Sequence, residues 1–177
     1  MAKRYPVPRL LLISDMRNDA TLARALARLP RGSGLVFRHY HLAPAARRAR
    51  FGAMRRLCRL HGHVAFLSGP ATEARAWRAD GAYAAPARLG RRTGGLRLAT
   101  AHGPAELRQA VRAGADAVLL SPVFATRSHP GARALGPVRF HALAALSGVP
   151  VIALGGMDRQ RARGLRTHGW AAIDGLS

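Results

Sequence analysis

Ala117-Val118-Leu119-Leu120-Ser121-Pro122-Val123-Phe124-Ala125-Thr126 and Pro150-Val151-Ile152-Ala153-Leu154-Gly155-Gly156-Met157-Asp158 are the stretches that decide the fold. Each contains a run of four apolar residues without alternation, the pattern of a strand buried on both faces. Each run passes directly into a loop of small and polar residues. Between the two, residues 138–146 read as a helix. Strand, loop, helix and strand in that order make the repeating unit of a parallel sheet.

The same alternation extends outward to both ends of the chain. Leu10-Leu11-Leu12-Ile13, Leu35-Val36-Phe37, Val64-Ala65-Phe66-Leu67, Ala82-Tyr83-Ala84, Leu96-Arg97-Leu98-Ala99 and Trp170-Ala171-Ala172-Ile173 bring the strands to eight. Leu22, Leu26 and Leu29 fall at helical spacing behind Asp19, a candidate N-cap. Met54, Leu57 and Cys58 mark one face of a helix over 45–60. Further helices are expected over 70–78, with Pro70 in the first turn, and over 104–113. Asp158 is placed to cap a helix running to 168. Residues 86–95 are too few and too rich in Gly and Arg for a full helix, so the fourth crossover is shortened. The sequence stops at Ser177, leaving no room for a helix after the last strand.

The expected fold is therefore a single compact α/β domain over 1–177. It is a (β/α)8 TIM barrel with a shortened fourth crossover and the last helix missing, trimmed below the roughly 200–250 residues usual for this architecture. A barrel wall lacking one helix suits a homodimer or a covering partner.

Composition narrows the classes. The 49% hydrophobic fraction is that of a globular chain. No run of about 18 apolar residues exists, so no membrane span is expected. Pro6 and Pro8 interrupt the apolar stretch after the charged N-terminus, and no small-residue cleavage site follows, which argues against a signal peptide. Cys58 is the only cysteine, which excludes an internal disulfide and fits a cytoplasmic address. Lys and Arg number 29 against 8 acids, a net charge of +21, and Lys3 is the one lysine. Such a field draws anions, small phosphorylated metabolites among them. The arginines are scattered along helical stretches and not interleaved with aromatics. A solvated basic surface therefore fits better than a nucleic-acid interface.

Two loops concentrate the polar chemistry. Gly155-Gly156 follows the seventh strand, where barrels of this type commonly hold a phosphate, and paired glycines let backbone N–H groups approach an anion. The helix that follows adds its N-terminal dipole. Thr126, Arg127, Ser128 and His129 supply hydroxyl, guanidinium and imidazole donors in four successive residues after the sixth strand. His61-Gly62-His63 has no further partners to make a zinc set.

Gly114-Ala115-Asp116, Ser121-Pro122-Val123-Phe124-Ala125-Thr126 and Pro150 to Met157, in that order, resemble thiamine-phosphate synthase and its TenI-like relatives. The resemblance is dense over 96–174 and thinner before it, where Ile13-Ser14-Asp15 and Ala79-Asp80-Gly81 stay in register. It implies a transferase of thiamine biosynthesis that joins a pyrimidine pyrophosphate to a thiazole phosphate with the help of Mg2+. By position, Gly155 and Gly156 would hold the thiazole phosphate. Thr126, Ser128 and His129 would face the pyrophosphate, His129 standing where the family has lysine. Thr100 and His102 match a serine and a histidine after strand five, and Arg38 matches an arginine after strand two.

The departures are specific. Val36-Phe37-Arg38-His39-Tyr40 lacks the family's glutamine and lysine, and Ser68-Gly69 replaces Asn-Asp after strand three. Tyr83 replaces a histidine, and the second Mg2+-binding aspartate falls near Arg88. The carboxylate ligands of Mg2+ are thus absent, and no metal ligands are assigned. Glu73 and Asp80, the acids in the 60–95 region, read as mid-helix or structural. Pro122 stands where TenI-like thiazole tautomerases carry their catalytic histidine. The expectation is a synthase-like enzyme with a diverged pyrophosphate end. The alternative is a non-synthase barrel, regulatory or tautomerase-like, that keeps the phosphate ligand. Asp174, at the end of strand eight, would face away from a phosphate or hold an arginine such as Arg127.

Overall fold

Eight apolar runs pair in parallel, each strand with the next, and the last closes on the first. The computed structural model describes residues 6–126, 131 and 133–176. The strands are β1 (Leu10–Ile13), β2 (Gly34–Phe37), β3 (Val64–Ser68), β4 (Gly81–Ala84), β5 (Leu96–Ala101), β6 (Ala117–Leu120), β7 (Val151–Ala153) and β8 (Gly169–Ala172). Leu10, Leu11 and Leu12 register with Trp170, Ala171 and Ala172 to complete the ring. A closed sheet has no free edge. The architecture is a (β/α)8 TIM barrel.

Among the described residues six helices connect the strands: α1 (Leu22–Arg28), α2 (Pro44–His61), α3 (Ala71–Ala76), α4 (Pro104–Arg112), α5 (Gly136–Ala145) and α6 (Arg159–Gly164). A 3-10 turn, Pro86–Arg88, stands in place of a helix between β4 and β5, and another, Asp174–Leu176, follows β8. The shortened crossover is tied down by Arg97, the charged residue of β5. Its guanidinium donates to the carbonyls of Gly90 and Ala113, 2.9 and 2.7 Å away, joining the crossover to the C-terminal end of α4.

Alternate residues of each strand enter two different cores. Leu11, Ile13, Val36, Phe66, Leu98, Leu119 and Ile152 belong to a cluster drawn from the strands and the residues that prolong them, which is the barrel lumen. Leu12, Leu35, Phe37, Leu67, Val118 and Ala153 join the helical residues Leu26, Phe51, Met54, Leu107 and Phe140 in the outer core. Phe66 owes its place in the narrow lumen to glycines on the strands at either side. A β-carbon on Gly81 would lie 2.7 Å from its ring and 2.4 Å from the Leu96 carbonyl, and one on Gly34 would lie 3.1 Å from it.

Two local expectations are corrected. Asp19 does not cap α1; Thr21 holds the N-cap position, without a side-chain bond. The Asp19 carboxylate instead accepts from His39 Nε2 at 2.8 Å and from Arg50 Nη2 at 2.7 Å, tying α1 to β2 and α2. The helix after β7 ends at Gly164 and not at residue 168, though Asp158 does cap it, accepting from the Arg161 N–H at 2.8 Å.

His39 sits in this network at φ +34°, a region that non-glycine residues seldom adopt. Its ring stacks on Phe37 at 4.5 Å between centroids. A carboxylate only accepts, so Nε2 carries the proton toward Asp19 and Nδ1 accepts from Ser14 Oγ at 2.7 Å. Burial holds the imidazole below the usual histidine value, with the Asp19 hydrogen bond acting against it. A depressed histidine binds fewer protons folded than unfolded. Its stabilisation is therefore present above the unfolded value near 6.5 and lost as pH falls below it. Thermal unfolding between about pH 7.5 and about pH 5.5 is expected to show a falling Tm whose slope shrinks in His39→Gln. An identical slope in the variant would exclude this role. Gly81→Ala is expected to cost about 1–3 kcal/mol in a denaturant titration, because backbone and ring both crowd the new methyl.

Candidate functional site

Every strand of the barrel points its C-terminal end to one face, and a cavity of about 820 Å³ opens there. Its wall takes residues from the ends of all eight strands or the loops after them. Of the candidate residues, Arg38, Thr100, His102, Thr126, Gly155 and Gly156 line this single space. Arg127, Ser128 and His129 lie outside the described residues.

The β6–β8 side is built from backbone. Val123 and Phe124 donate their N–H groups to the carbonyls of Leu154 and Gly155 at 2.9 and 3.0 Å, clasping the loop after β6 to the loop after β7. Gly155 and Gly156 take φ +94° and +60°, and the clasp leaves no room for side chains. A β-carbon on Gly155 would meet Pro122 at 2.7 Å, and one on Gly156 would meet the Ala125 carbonyl at 2.4 Å. Among the described residues no acceptor takes the N–H of either glycine. Two adjacent backbone donors in left-handed conformation form a concavity suited to an anion. Arg161 closes the rim, donating to the Gly156 carbonyl with its guanidinium over the Phe124 ring at 4.8 Å. The dipole of α6 contributes less than its position in the chain suggests. The helix has six residues, and the Asp158 carboxylate already occupies its N-terminus.

On the β5 side, His102 Nδ1 lies 2.9 Å from the Glu106 carboxylate, so the proton resides on Nδ1 and Nε2 is the free acceptor. Thr100 lies within β5, two residues before it.

The β2–β4 side is cationic. Arg38 follows β2, Arg88 lies in the turn after β4, and Arg47 reaches in from α2. Arg47 is largely enclosed, its side chain 12% exposed. It donates from Nε to the Arg38 carbonyl at 3.0 Å and from Nη2 to the Ser68 carbonyl at 2.7 Å. Its Nη1 lies 3.4 Å from Glu73 Oε1. Tyr40 and Trp77 present their rings to this guanidinium at 5.4 and 5.1 Å. Tyr40 also hydrogen-bonds Ser68, and Tyr83 lines the wall below with its phenol pushed up to about 12 by burial.

Glu73 lies within α3 as the sequence suggests, and its carboxylate also reaches the cavity wall. Asp80 is structural, accepting the Ala65 N–H at 2.9 Å. Asp174 lies 3.5 Å from Arg17, a residue the sequence does not single out. Arg47 and Arg161 were also missed among so many arginines. Arg47 carried a faint signal, falling four residues before Phe51 on the buried stripe of α2.

Hard divalent cations need several carboxylate oxygens. Among the described residues no group of three or more His, Cys, Asp or Glu converges. On the β2–β4 side the lining carboxylate is Glu73, already engaged by Arg47. The residues present do not fit a Mg2+-diphosphate site.

Comparison with known proteins bears on family and fold. A family model described as thiamine monophosphate synthase matches residues 10–176. A protein of Aquifex aeolicus (strain VF5) named "Putative thiamine-phosphate synthase 2" is 33% identical over 78 residues, 44% of this chain and 42% of that relative's length. A thiamine phosphate pyrophosphorylase from Pyrococcus furiosus superposes with TM-score 0.77 at 22% identity, over 93% of this chain and 85% of that one. FabK from Thermotoga maritima superposes with TM-score 0.73 at 18% identity, over 96% and 58% respectively. The two structural likenesses speak for the fold. Among the described residues no helix is long and apolar enough to cross a membrane. The match over almost the whole chain settles the lineage: this chain belongs to the thiamine monophosphate synthase family.

Proposed function

We propose that the chain is a transferase that joins a pyrimidine carried on a diphosphate to a thiazole carrying a phosphate. The observation that supports it most is the two-sided cavity. Unpaired backbone donors at Gly155 and Gly156 stand on one wall, and guanidinium groups stand on the opposite wall of the same space. Two anionic substrates bound head to head need such an arrangement. Family membership supplies the reaction class.

In this reaction the carbon–oxygen bond to the diphosphate breaks, and its electron pair leaves on the diphosphate oxygen. The lone pair of the thiazole nitrogen then forms the new carbon–nitrogen bond. No proton must move in that exchange. The protein's task is alignment and stabilisation of leaving-group charge. Gly155 and Gly156 hold the thiazole phosphate, and Thr126 faces the diphosphate from the loop after β6. Thr100 and His102 contact the substrates from β5, and Arg38 receives charge on the opposite wall. Arg127, Ser128 and His129 are assigned to the substrates on the sequence and the family resemblance alone.

The test is a coupled measurement of pyrophosphate release and of thiazole-phosphate binding by calorimetry. Turnover with both substrates is expected, and no turnover beside intact thiazole-phosphate binding would sink the proposal. Gly156→Asp, which places a carboxylate against the phosphate, is expected to lower kcat/KM for the thiazole phosphate by about a hundredfold or more. Arg161→Ala is expected to raise KM for the same substrate by about tenfold, with kcat less affected.

A further inference from the structure

The cavity wall between β2 and β4 holds three guanidinium groups against one carboxylate, leaving two positive charges over. Arg38 and Arg47 lie against the same Tyr40 ring, at 5.7 and 5.4 Å. Like charges gathered in a partly enclosed space repel unless an anion joins them. Arg38 and Arg88 form no ion pair with a carboxylate among the described residues.

Arg47 is the pivot. Three oxygens converge on it, from the Arg38 carbonyl, the Ser68 carbonyl and the Glu73 carboxylate. Oxygens of this kind are what a hard cation would gather. Here a guanidinium fills their midst. Those bonds use three of its five N–H donors, and the remaining two are left for the cavity. Unlike a metal ion, a guanidinium on a side chain cannot be chelated away.

We propose that this chain receives the diphosphate of its substrate on Arg38, Arg47 and Arg88 and uses no divalent cation. This inference rests on the function proposed above, since it names how one half of that site works. Planar guanidinium groups bind diphosphate oxygens in bidentate fashion, and as the leaving group departs they meet its growing charge. Glu73 acts as a positioning residue, steering Arg47 without touching the anion.

Calorimetric titration of the full chain with inorganic pyrophosphate separates the alternatives. Binding in EDTA is expected to be at least as tight as binding in millimolar Mg2+. Arg38→Gln and Arg88→Gln are each expected to weaken it about tenfold or more, while Arg108→Gln, on an exposed face of α4, leaves it unchanged. Glu73→Gln is expected to tighten pyrophosphate by about threefold, because a competing negative charge is removed. A metal-ligand role for Glu73 predicts the opposite sign. Pyrophosphate binding that appears with Mg2+ and vanishes in EDTA overturns the proposal, whatever the variants do. So does binding in EDTA that is indifferent to both arginine substitutions. Turnover of the two substrates that EDTA abolishes leaves the transferase function standing and removes this inference. Arginine-dependent binding in EDTA without turnover does the reverse.

Discussion

Closure of the sheet is the constraint on which the rest of this structure depends. Strands as short as three residues, such as β7, would be weak in an open sheet. Joined into a ring through the register of β1 with β8, each gains a neighbour on both sides and a place in two cores. The ring also brings the loops from every strand to one rim. The double-glycine turn after β7 and the arginines after β2 to β4 face one cavity because the ring places them across its mouth, not because they are near in sequence.

The lumen and the rim are coupled through small residues. Gly34 and Gly81 give up side chains so that Phe66 can fill the barrel between them. Gly155 and Gly156 give up theirs so that the loops after β6 and β7 can interlock. The first exchange fills the barrel lumen; the second shapes the backbone donors at the edge of the cavity. Both follow from how little room eight short strands enclose.

Charge is deployed unevenly. Much of the +21 excess lies on solvated helix faces, where screening leaves it a general attraction for anions. Within the cavity the same residue type does something different. Arg47 is locked by three oxygens and two rings, and Arg161 is held by the Gly156 carbonyl and Phe124. A fixed guanidinium loses little freedom when an anion arrives, so it binds more strongly than a mobile surface arginine. Where the family resemblance implies carboxylates and Mg2+, this chain presents arginine and glycine.

The strands were legible because a parallel barrel buries both faces of each one, and unbroken apolar runs such as Val64-Ala65-Phe66-Leu67 have few other readings. The double glycine after β7 was legible for a similar reason: a local backbone demand leaves a local mark. Asp19 misled because a helix N-cap and a partner for His39 and Arg50 call for the same residue type in the same place. Arg47 stayed hidden among the other arginines, since its role depends on carbonyls 9 and 21 positions away. The sequence by itself determined the eight strands, the glycine turn and the excess of positive charge, all properties of neighbouring residues. The tertiary structure alone decided which of those charges meet, because only the packing of α2 against the sheet and the parallel alignment of β2 to β4 bring Arg38, Arg47 and Arg88 to one wall of the cavity.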